Sequence, residues 1–351
     1  MKKVFLESHN LKNPYFGFGQ FNIQLLKAFK NLPKEVQLTI HSPNILQDRK
    51  QFGNSFNYKK YFSFRRYENL RIRKKYDLWH SLNQNTKIEP YHDIPYLLTV
   101  HNTVFPEQKT HPNHIRFQEK LLKSKGITYI SEFAKSSTHQ YFEIPDVPEY
   151  VVYNGNPIQE LMIPTNFKPN IIPHEPYLFF IGEFAPRKNL KCLLDLIEIL
   201  PDHNLVLAGK NNTSYGEEMR EVIQQKKLEN RVHLVGKISD TEKQFYYKNC
   251  EAFVFPSLRE GFGLPIVEAM FFQKPIFSSN KTSLPEIGQD LVFYWENFQA
   301  EAMKDAFENG MKIFNTKKEF YLKALKDRAQ YFSWKNAAED YLKIYNELIY
   351  N

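Results

Sequence analysis

Short apolar runs alternate with amphipathic stretches along almost the whole chain. In the first half, "QLTIHS" (37–42), "DLWHSL" (77–82), "YLLTVHN" (96–102), "GITYIS" (126–131) and "YVVYNG" (150–155) each read as a strand ending in polar or small residues. Segments of helical period lie between several of them, such as "GQFNIQLLKAFKNL" (19–32) and "HIRFQEKLLKSK" (114–125). A second series predicts strands over 177–184, 204–209, 232–237, 252–257, 275–279 and 291–295. Its helices are predicted over 189–200, 217–228, 240–249, 300–314, 317–331 and 333–350, with Asp240 suited to cap the third of these. Strands alternating with helices argue for parallel sheets built from βαβ units.

Residues 157–176 interrupt the pattern with five prolines and no clear period, so they read as a linker. A chain of 351 residues is long for one core. The expected fold class is therefore α/β, with two Rossmann-like doubly wound domains and a cleft between the carboxyl ends of their sheets. The expected boundaries are 1–160 for the first domain, 161–176 for the linker and 177–332 for the second domain. The last helix, 333–351, is expected to pack back on the first domain.

Composition narrows the class. Apolar content of 42% and charged content of 25% are those of a globular protein. Cys192 and Cys250 sit in apolar stretches and allow neither a disulfide framework nor a C-x-x-C metal knuckle, which fits a reducing cytoplasm. The N-terminal apolar run is too short for a signal peptide, and no apolar run is long enough to span a bilayer. The net charge is +8, but residues 1–75 alone carry +12. The densest piece is "YKKYFSFRRYENLRIRKKYDLW" (58–79). Interleaved basic and aromatic residues attract phosphates of nucleic acid, lipid headgroups or acidic glycans; a solvated helix face is the equal alternative.

The candidate chemistry centres on "PSLREGFGLPIVEAM" (256–270). A buried strand ends at Pro256. The Gly261-Phe262-Gly263 turn lets backbone approach a ligand closely. After Leu264, Pro265 suits the first position of a helix whose free N–H groups make an anion site. Glu260 precedes the turn and Glu268 lies in the first turns of the helix. An ionised carboxylate accepts hydroxyl hydrogen bonds. Two of them around a phosphate-binding helix start suit a molecule with hydroxyls at both ends and phosphates between, which describes a nucleotide sugar.

The stretch resembles the E-x7-E signature of retaining GT-B glycosyltransferases, in particular the large family 4. Other pieces are similar to that family in its order: "GFGQF" (17–21), "TVHNTVFP" (99–106), "YISEFAKSS" (129–137), "VVYNGNP" (151–157), "GEFAPRKNL" (182–190), "SSNKTSLPEIGQD" (278–290) and "FSWKNAAEDYLKIY" (332–345). The resemblance implies that Glu260 holds donor-sugar hydroxyls, helped by the backbone of Gly261, Phe262 and Gly263. It implies Glu268 for the ribose, Arg187 and Lys188 for the diphosphate, His101 near sugar and acceptor, and Gly17 and Gly19 for close approach to the donor phosphates. Lys210, Lys237 and Ile238, in the loops after two strands of the second domain, are expected beside the nucleobase.

Two departures stand out: Asn102 replaces the acidic residue usual after the histidine, and Gln273 stands where glycine is common. His111 and His114 share helical spacing, but Pro112 and the lack of acidic neighbours argue against a metal site. The chain contains no Asp-x-Asp, and a diphosphate held by Arg, Lys and a helix start needs no Mg²⁺, so no cofactor or metal is expected.

The expected function is transfer of a hexose from a nucleotide sugar to a glycan or lipid-linked acceptor in surface-polysaccharide or lipopolysaccharide synthesis. GDP-mannose is the first donor expected; UDP-glucose, UDP-galactose or UDP-N-acetylglucosamine are the alternatives. The expected location is cytoplasmic, peripheral on the inner membrane face through the basic N-terminal domain, with no nucleic-acid partner. The rival readings are a nucleic-acid binder using 58–79, an epimerase or phosphorylase of the same fold, and an inactive sugar-nucleotide sensor.

Overall fold

A computed structural model describes residues 1–14, 16–33, 35–103, 108–173 and 176–350. The chain folds into two compact units, one formed by Met1–Gly155 with the segment from Ser333 onward, the other by Asn156–Phe332. Each is built around one parallel sheet.

In the first unit the elements run β1 (Lys3–Glu7), α1 (Gly17–Lys30), β2 (Gln37–Ser42), α2 (Ile45–Phe52), β3 (Asn57–Lys60), β4 (Leu78–Ser81), β5 (Tyr96–Val100), α3 (Pro112–Lys123), β6 (Gly126–Tyr129), α4 (Glu132–Tyr141) and β7 (Glu149–Val151). The strand order is β3-β2-β1-β4-β5-β6-β7. Val4 pairs with Leu38 on one side and Leu78 on the other, so the order reverses about β1. Two strands were not expected from the sequence. β1 is buried beyond its exposed first residue, Lys3, and runs straight into polar residues. β3 is a half-exposed edge strand, Asn-Tyr-Lys-Lys, inside the basic segment, and an edge strand needs little apolar content.

The second unit continues with β8 (Tyr177–Ile181), α5 (Leu190–Glu198), β9 (Asn204–Ala208), α6 (Ser214–Gln225), β10 (Val232–Gly236), α7 (Asp240–Asn249), β11 (Ala252–Phe255), α8 (Leu264–Phe271), β12 (Ile276–Ser279), α9 (Leu284–Gly288), β13 (Phe293–Trp295), α10 (Ala300–Thr316) and α11 (Lys318–Tyr331). Its sheet is ordered β10-β9-β8-β11-β12-β13, again parallel. The core is aromatic: Phe179, Tyr247 and Phe253 meet ring to ring. The described residues of 157–176 form no helix or strand and dock on α7. Met162 N–H donates to Gln244 Oε1 at 2.7 Å, and the Tyr246 hydroxyl donates to Ile171 C=O at 2.7 Å.

One local expectation is corrected. The cap of α7 is Ser239, not Asp240: Ser239 Oγ accepts from Glu242 N–H, and Glu242 reaches back to Ser239 N–H, satisfying two free donors at once. Gln273 occupies the left-handed region at φ 54°, which is why glycine suits the position. Its amide is tied to Leu322 C=O at 2.6 Å, which compensates the strain.

The last helix, α12 (Trp334–Tyr350), belongs to the first unit. A buried polar chain secures it. The Tyr345 hydroxyl is 2.7 Å from His80 Nδ1, His80 Nε2 is 2.7 Å from Thr99 Oγ1, and Thr99 meets Thr128 at 2.7 Å. The chain enters α12 past Gly155, where a Cβ would stand 2.1 Å from Trp334 N, so no other residue fits.

Candidate functional site

In the second unit the site grows out of the carboxyl end of β11. The fully buried strand delivers Ser257 and then the turn of Glu260, Gly261, Phe262 and Gly263. Gly263 caps α8 at φ 106°, a backbone conformation that requires glycine, and a Cβ there would also press on Leu284 Cδ2 at 2.7 Å. Leu264 and Pro265 become the first two residues of the helix. The Phe262 ring is buried edge-on against Phe332, leaving its backbone as the part that can serve a ligand. The turn is held from behind: Glu260 N–H donates to Thr282 Oγ1 at 3.0 Å, and Ser283 Oγ donates to the carbonyls of Glu260 and Phe262. Thr282 itself is β-branched at φ 57°, a strained conformation kept beside the site.

Arg187 and Lys188 lie in a tight turn, Pro186–Lys188, between β8 and α5. Asn189 follows in the left-handed region that Asn tolerates, at φ 54°. This turn brings both cations onto one carboxylate oxygen. Glu260 Oε1 accepts from Arg187 Nη1 at 3.1 Å, from Ser257 Oγ at 2.5 Å and from Lys188 Nζ. Oε2 carries none of these three bonds. Lys188 is buried, with its ammonium 4.6 Å from the Phe255 ring centre. Burial opposes the Glu260 anion, but the charges of Lys188 and Arg187 outweigh it and hold the carboxyl below its ordinary range. Burial draws the Lys188 ammonium downward against the pull of Glu260.

Glu268, on α8, is buried with a donor on each oxygen. Lys243 Nζ reaches Oε1 at 3.0 Å and the Tyr247 hydroxyl reaches Oε2 at 3.0 Å. Lys243 and Tyr247 are four residues apart on α7 and so share one face. Burial disfavours the Lys243 charge, yet Glu268 and Asp240 raise its pKa above the ordinary lysine value. Sequence reasoning missed both partners; the only local signal was their spacing opposite the motif helix. Lys210 follows β9 and pairs with Glu183 at 3.4 Å, while Lys237 and Ile238 follow β10. Gly209 N–H ties the loop after β9 to the end of β10 through Gly236 C=O at 2.7 Å.

In the first unit, His101 lies buried just beyond β5, edge-on to Phe18 and Phe21. Its Nε2 is 2.8 Å from Leu82 C=O, a pure acceptor, so Nε2 carries the hydrogen and Nδ1 is the lone-pair atom. Burial lowers its pKa to about 4. Asn102 is pinned by Gln84, whose amide donates to both its carbonyl and Oδ1, at 2.7 and 2.8 Å. Gln84 Oε1 accepts from His101 N–H. The rest of "TVHNTVFP" from Val104 to Pro106 lies outside the described residues.

The two glycines of α1 differ. At Gly17 a Cβ would meet nothing within 4 Å, whereas at Gly19 it would stand 2.0 Å from Asn13 C=O. Gly19 is thus fixed by packing, and Gly17 faces open space. His111 caps α3, its Nδ1 accepting from Asn113 N–H, and His114 stacks on Phe142.

Residues 163–326 match the family described as glycosyl transferases group 1. The chain is 24% identical to O-antigen chain mannosyltransferase B of Escherichia coli, over 99% of this chain and 100% of that protein. It is 32% identical to the serotype-specific mannosyltransferase WbdA of Escherichia coli, over 48% of this chain and 21% of that protein. Among solved structures it is similar to HepE of Anabaena in complex with UDP and glucose, with a TM-score of 0.74 at 16% identity over 99% of this chain and 100% of that one. The chain has the GT-B fold, and its second unit carries a glycosyl transferases group 1 domain. That domain's activity is glycosyl transfer.

Proposed function

We propose that this glycosyltransferase moves mannose from GDP-mannose, with retained anomeric configuration, to a glycan or lipid-linked acceptor during assembly of a surface polysaccharide such as an O-antigen. The observation that carries the reading is the meeting of Arg187 and Lys188 on Glu260 beside the start of α8, with Glu268 on the same helix. The end-to-end similarity to an O-antigen mannosyltransferase supports mannose as the sugar. In this reading Glu260 takes hydroxyls of the donor sugar and Glu268 those of the ribose. Arg187, Lys188 and the helix start hold the diphosphate.

Breaking the anomeric C–O bond builds positive charge on the sugar and negative charge on the departing diphosphate. The two cations and the helix dipole stabilise that anion. The acceptor hydroxyl attacks from the face the diphosphate leaves, and a phosphate oxygen takes its proton. His101, neutral, offers Nδ1 as a hydrogen-bond acceptor to a sugar hydroxyl. Lys210, Lys237 and Ile238 flank the base. A thermal-shift panel of nucleotide sugars tests the donor, because a ligand that binds the folded state raises Tm. GDP-mannose is expected to give the largest rise; a larger rise with UDP-hexoses overturns the donor assignment.

The same reading places the enzyme at the cytoplasmic membrane face without a nucleic-acid partner. No helix among the described residues is long and apolar enough to cross a membrane. Phe62, Phe64, Tyr67 and Leu70 are exposed beside Arg65 and Arg66, whose guanidinium groups lie over the Phe62 and Tyr67 rings. Aromatic and cationic groups together suit an anionic lipid surface. The protein is expected to float with phosphatidylglycerol vesicles at low salt and to leave them as salt rises. Equal recovery with phosphatidylcholine vesicles, or none with either, rejects this placement.

A further inference from the structure

Asn102 follows His101 beyond the carboxyl end of β5. Its amide has a donor end and an acceptor end, and the fold fixes which of them is turned inward. Gln84, just past β4, is 2% exposed. Its Oε1 accepts from His101 N–H at 3.2 Å, and its Nε2 donates to Asn102 C=O at 2.7 Å. A backbone N–H can only donate and a carbonyl can only accept, so these two bonds leave Gln84 one orientation. Nε2 then faces Asn102 Oδ1 at 2.8 Å. Turning the Asn102 amide round would set two N–H donors against each other. Oδ1 is therefore the inward end and Nδ2 the outward one.

The backbone on either side is anchored. His101 Nε2 reaches Leu82 C=O, and Thr103 Oγ1 lies 2.6 Å from Ser137 Oγ on α4. Asn83 Oδ1 accepts from Asn85 N–H at 2.9 Å, which braces the loop that carries Gln84. Asn102 Nδ2 and His101 Nδ1 have no hydrogen-bond partner among the described residues. Neither is one of the buried polar atoms left without a partner, so both reach solvent. They do so at the carboxyl end of the sheet, where parallel α/β folds take ligands.

A donor and an acceptor on adjacent residues have a defined use. A run of n sugar hydroxyls between a donor and an acceptor has n + 1 gaps and n + 1 hydrogens, so every gap holds a hydrogen bond. Between two acceptors the same run is one hydrogen short. A carboxylate in place of the Asn102 amide would leave one gap unfilled.

We propose that Asn102 is a specificity-determining residue for a neutral hexose. Its Nδ2 donates to a sugar hydroxyl, the hydroxyls carry the same sense onward, and His101 Nδ1 takes the last hydrogen. Gln84 is the positioning residue that keeps Nδ2 outward. The hexose belongs to the donor or to the acceptor, and its chemistry is the same in either. An ammonium in place of the first hydroxyl has no lone pair for Nδ2 and is disfavoured. The inference rests on the glycosyltransferase reading and on the place that reading gives His101.

The test uses the whole chain, with GDP-mannose as donor and methyl α-mannoside as acceptor probe. Hydrolysis to water is measured beside transfer. Asn102→Ala is expected to raise the KM for the hexose about five- to tenfold, the scale of one lost hydrogen bond. Asn102→Asp keeps the bond from Gln84, so its Tm is expected to lie nearer to wild type than that of Asn102→Ala, yet its KM is expected to rise more. In both, kcat is expected to stay within about twofold. Gln84→Met lets the amide turn, and the same KM is expected to rise about two- to threefold with kcat unchanged. A higher GDP-mannose KM, in hydrolysis as well as transfer, assigns the hexose to the donor. A rise confined to the methyl α-mannoside KM assigns it to the acceptor. Asn102→Asp with a wild-type KM overturns the proposal, because the position then works through lone pairs. So do variants that lose kcat along with Tm while both KM values hold, which is the mark of a purely structural tie. Wild type that turns over a UDP-hexose instead of GDP-mannose counts against the donor reading, and the variant order is then read with that donor. With no turnover of either, the side-chain amide signal of Asn102 decides, identified in ¹H–¹⁵N spectra by its loss in Asn102→Ala. It moves when methyl α-mannoside or GDP-mannose is added, or the proposal fails.

Discussion

Glu260 takes three donors on one carboxylate oxygen, and two of them are the cations proposed for the diphosphate. The residue therefore has two consequences of opposite sign. Glu260→Gln removes the grip on the donor sugar and frees Arg187 and Lys188 for phosphate. Turnover of GDP-mannose is expected to fall on the order of a hundredfold or more, while GDP, measured by calorimetry, binds as tightly as before or tighter. A variant that keeps full turnover contradicts the role given to Glu260. At this scale the motif made Glu260, Arg187 and Lys188 legible, because their chemistry is carried by residue type and order. That the three meet at one oxygen was not legible: it needs the loops after β8 and β11 to be neighbours, and 73 positions separate Arg187 from Glu260.

α7 and α8 meet through the Glu268 carboxylate. Removing one partner leaves a buried charge with half its support, so Lys243→Met is expected to cost about 3–5 kcal/mol and to weaken GDP binding. Replacing both, Lys243→Met with Glu268→Leu, is expected to regain most of the stability in urea melts without restoring GDP affinity. If the double variant is no more stable than the single one, the pair is not what joins the helices there. Elements of strong period were legible, and α7 falls on the expected residues 240–249. β1 and β3 were not, because one lacks a helical stretch before it and the other is a polar edge strand. The proline-rich stretch looked like an isolated connection by composition, yet its backbone is bonded to Gln244 and Tyr246 on α7.

Across the whole molecule, buried neutral histidines set the response to acid. Burial lowers His80 to about 3 and His101 to about 4 from an ordinary 6.5; in His80 the nearby His101 adds to it, and in His101 the Leu82 carbonyl opposes it. The unfolded chain binds protons at these residues below about pH 6.5 and the folded chain does not, so stability rises with pH through that window. Glu7 and Glu260, depressed in the fold, act the same way lower down: their contribution is present above the ordinary 4.5 and is lost as pH falls through their folded values. Tm is expected to be nearly level above about pH 7 and to drop steadily from about pH 6.5 to 4, read by scanning calorimetry. A Tm that holds constant over that range contradicts the buried, uncharged state of the two histidines.

By itself the sequence determined the alternation of strands and helices, the α/β class and the residue types of the second unit's motif. These depend on local period and on neighbours a few positions apart. Only the tertiary structure decided which charges face each other. It set Lys243 and Tyr247 on Glu268, Gln84 on Asn102, the His80 chain beneath α12, and two histidines on Glu7. Such pairs join residues from different strands, loops and helices, and their positions are fixed by sheet order and packing, which no local pattern encodes.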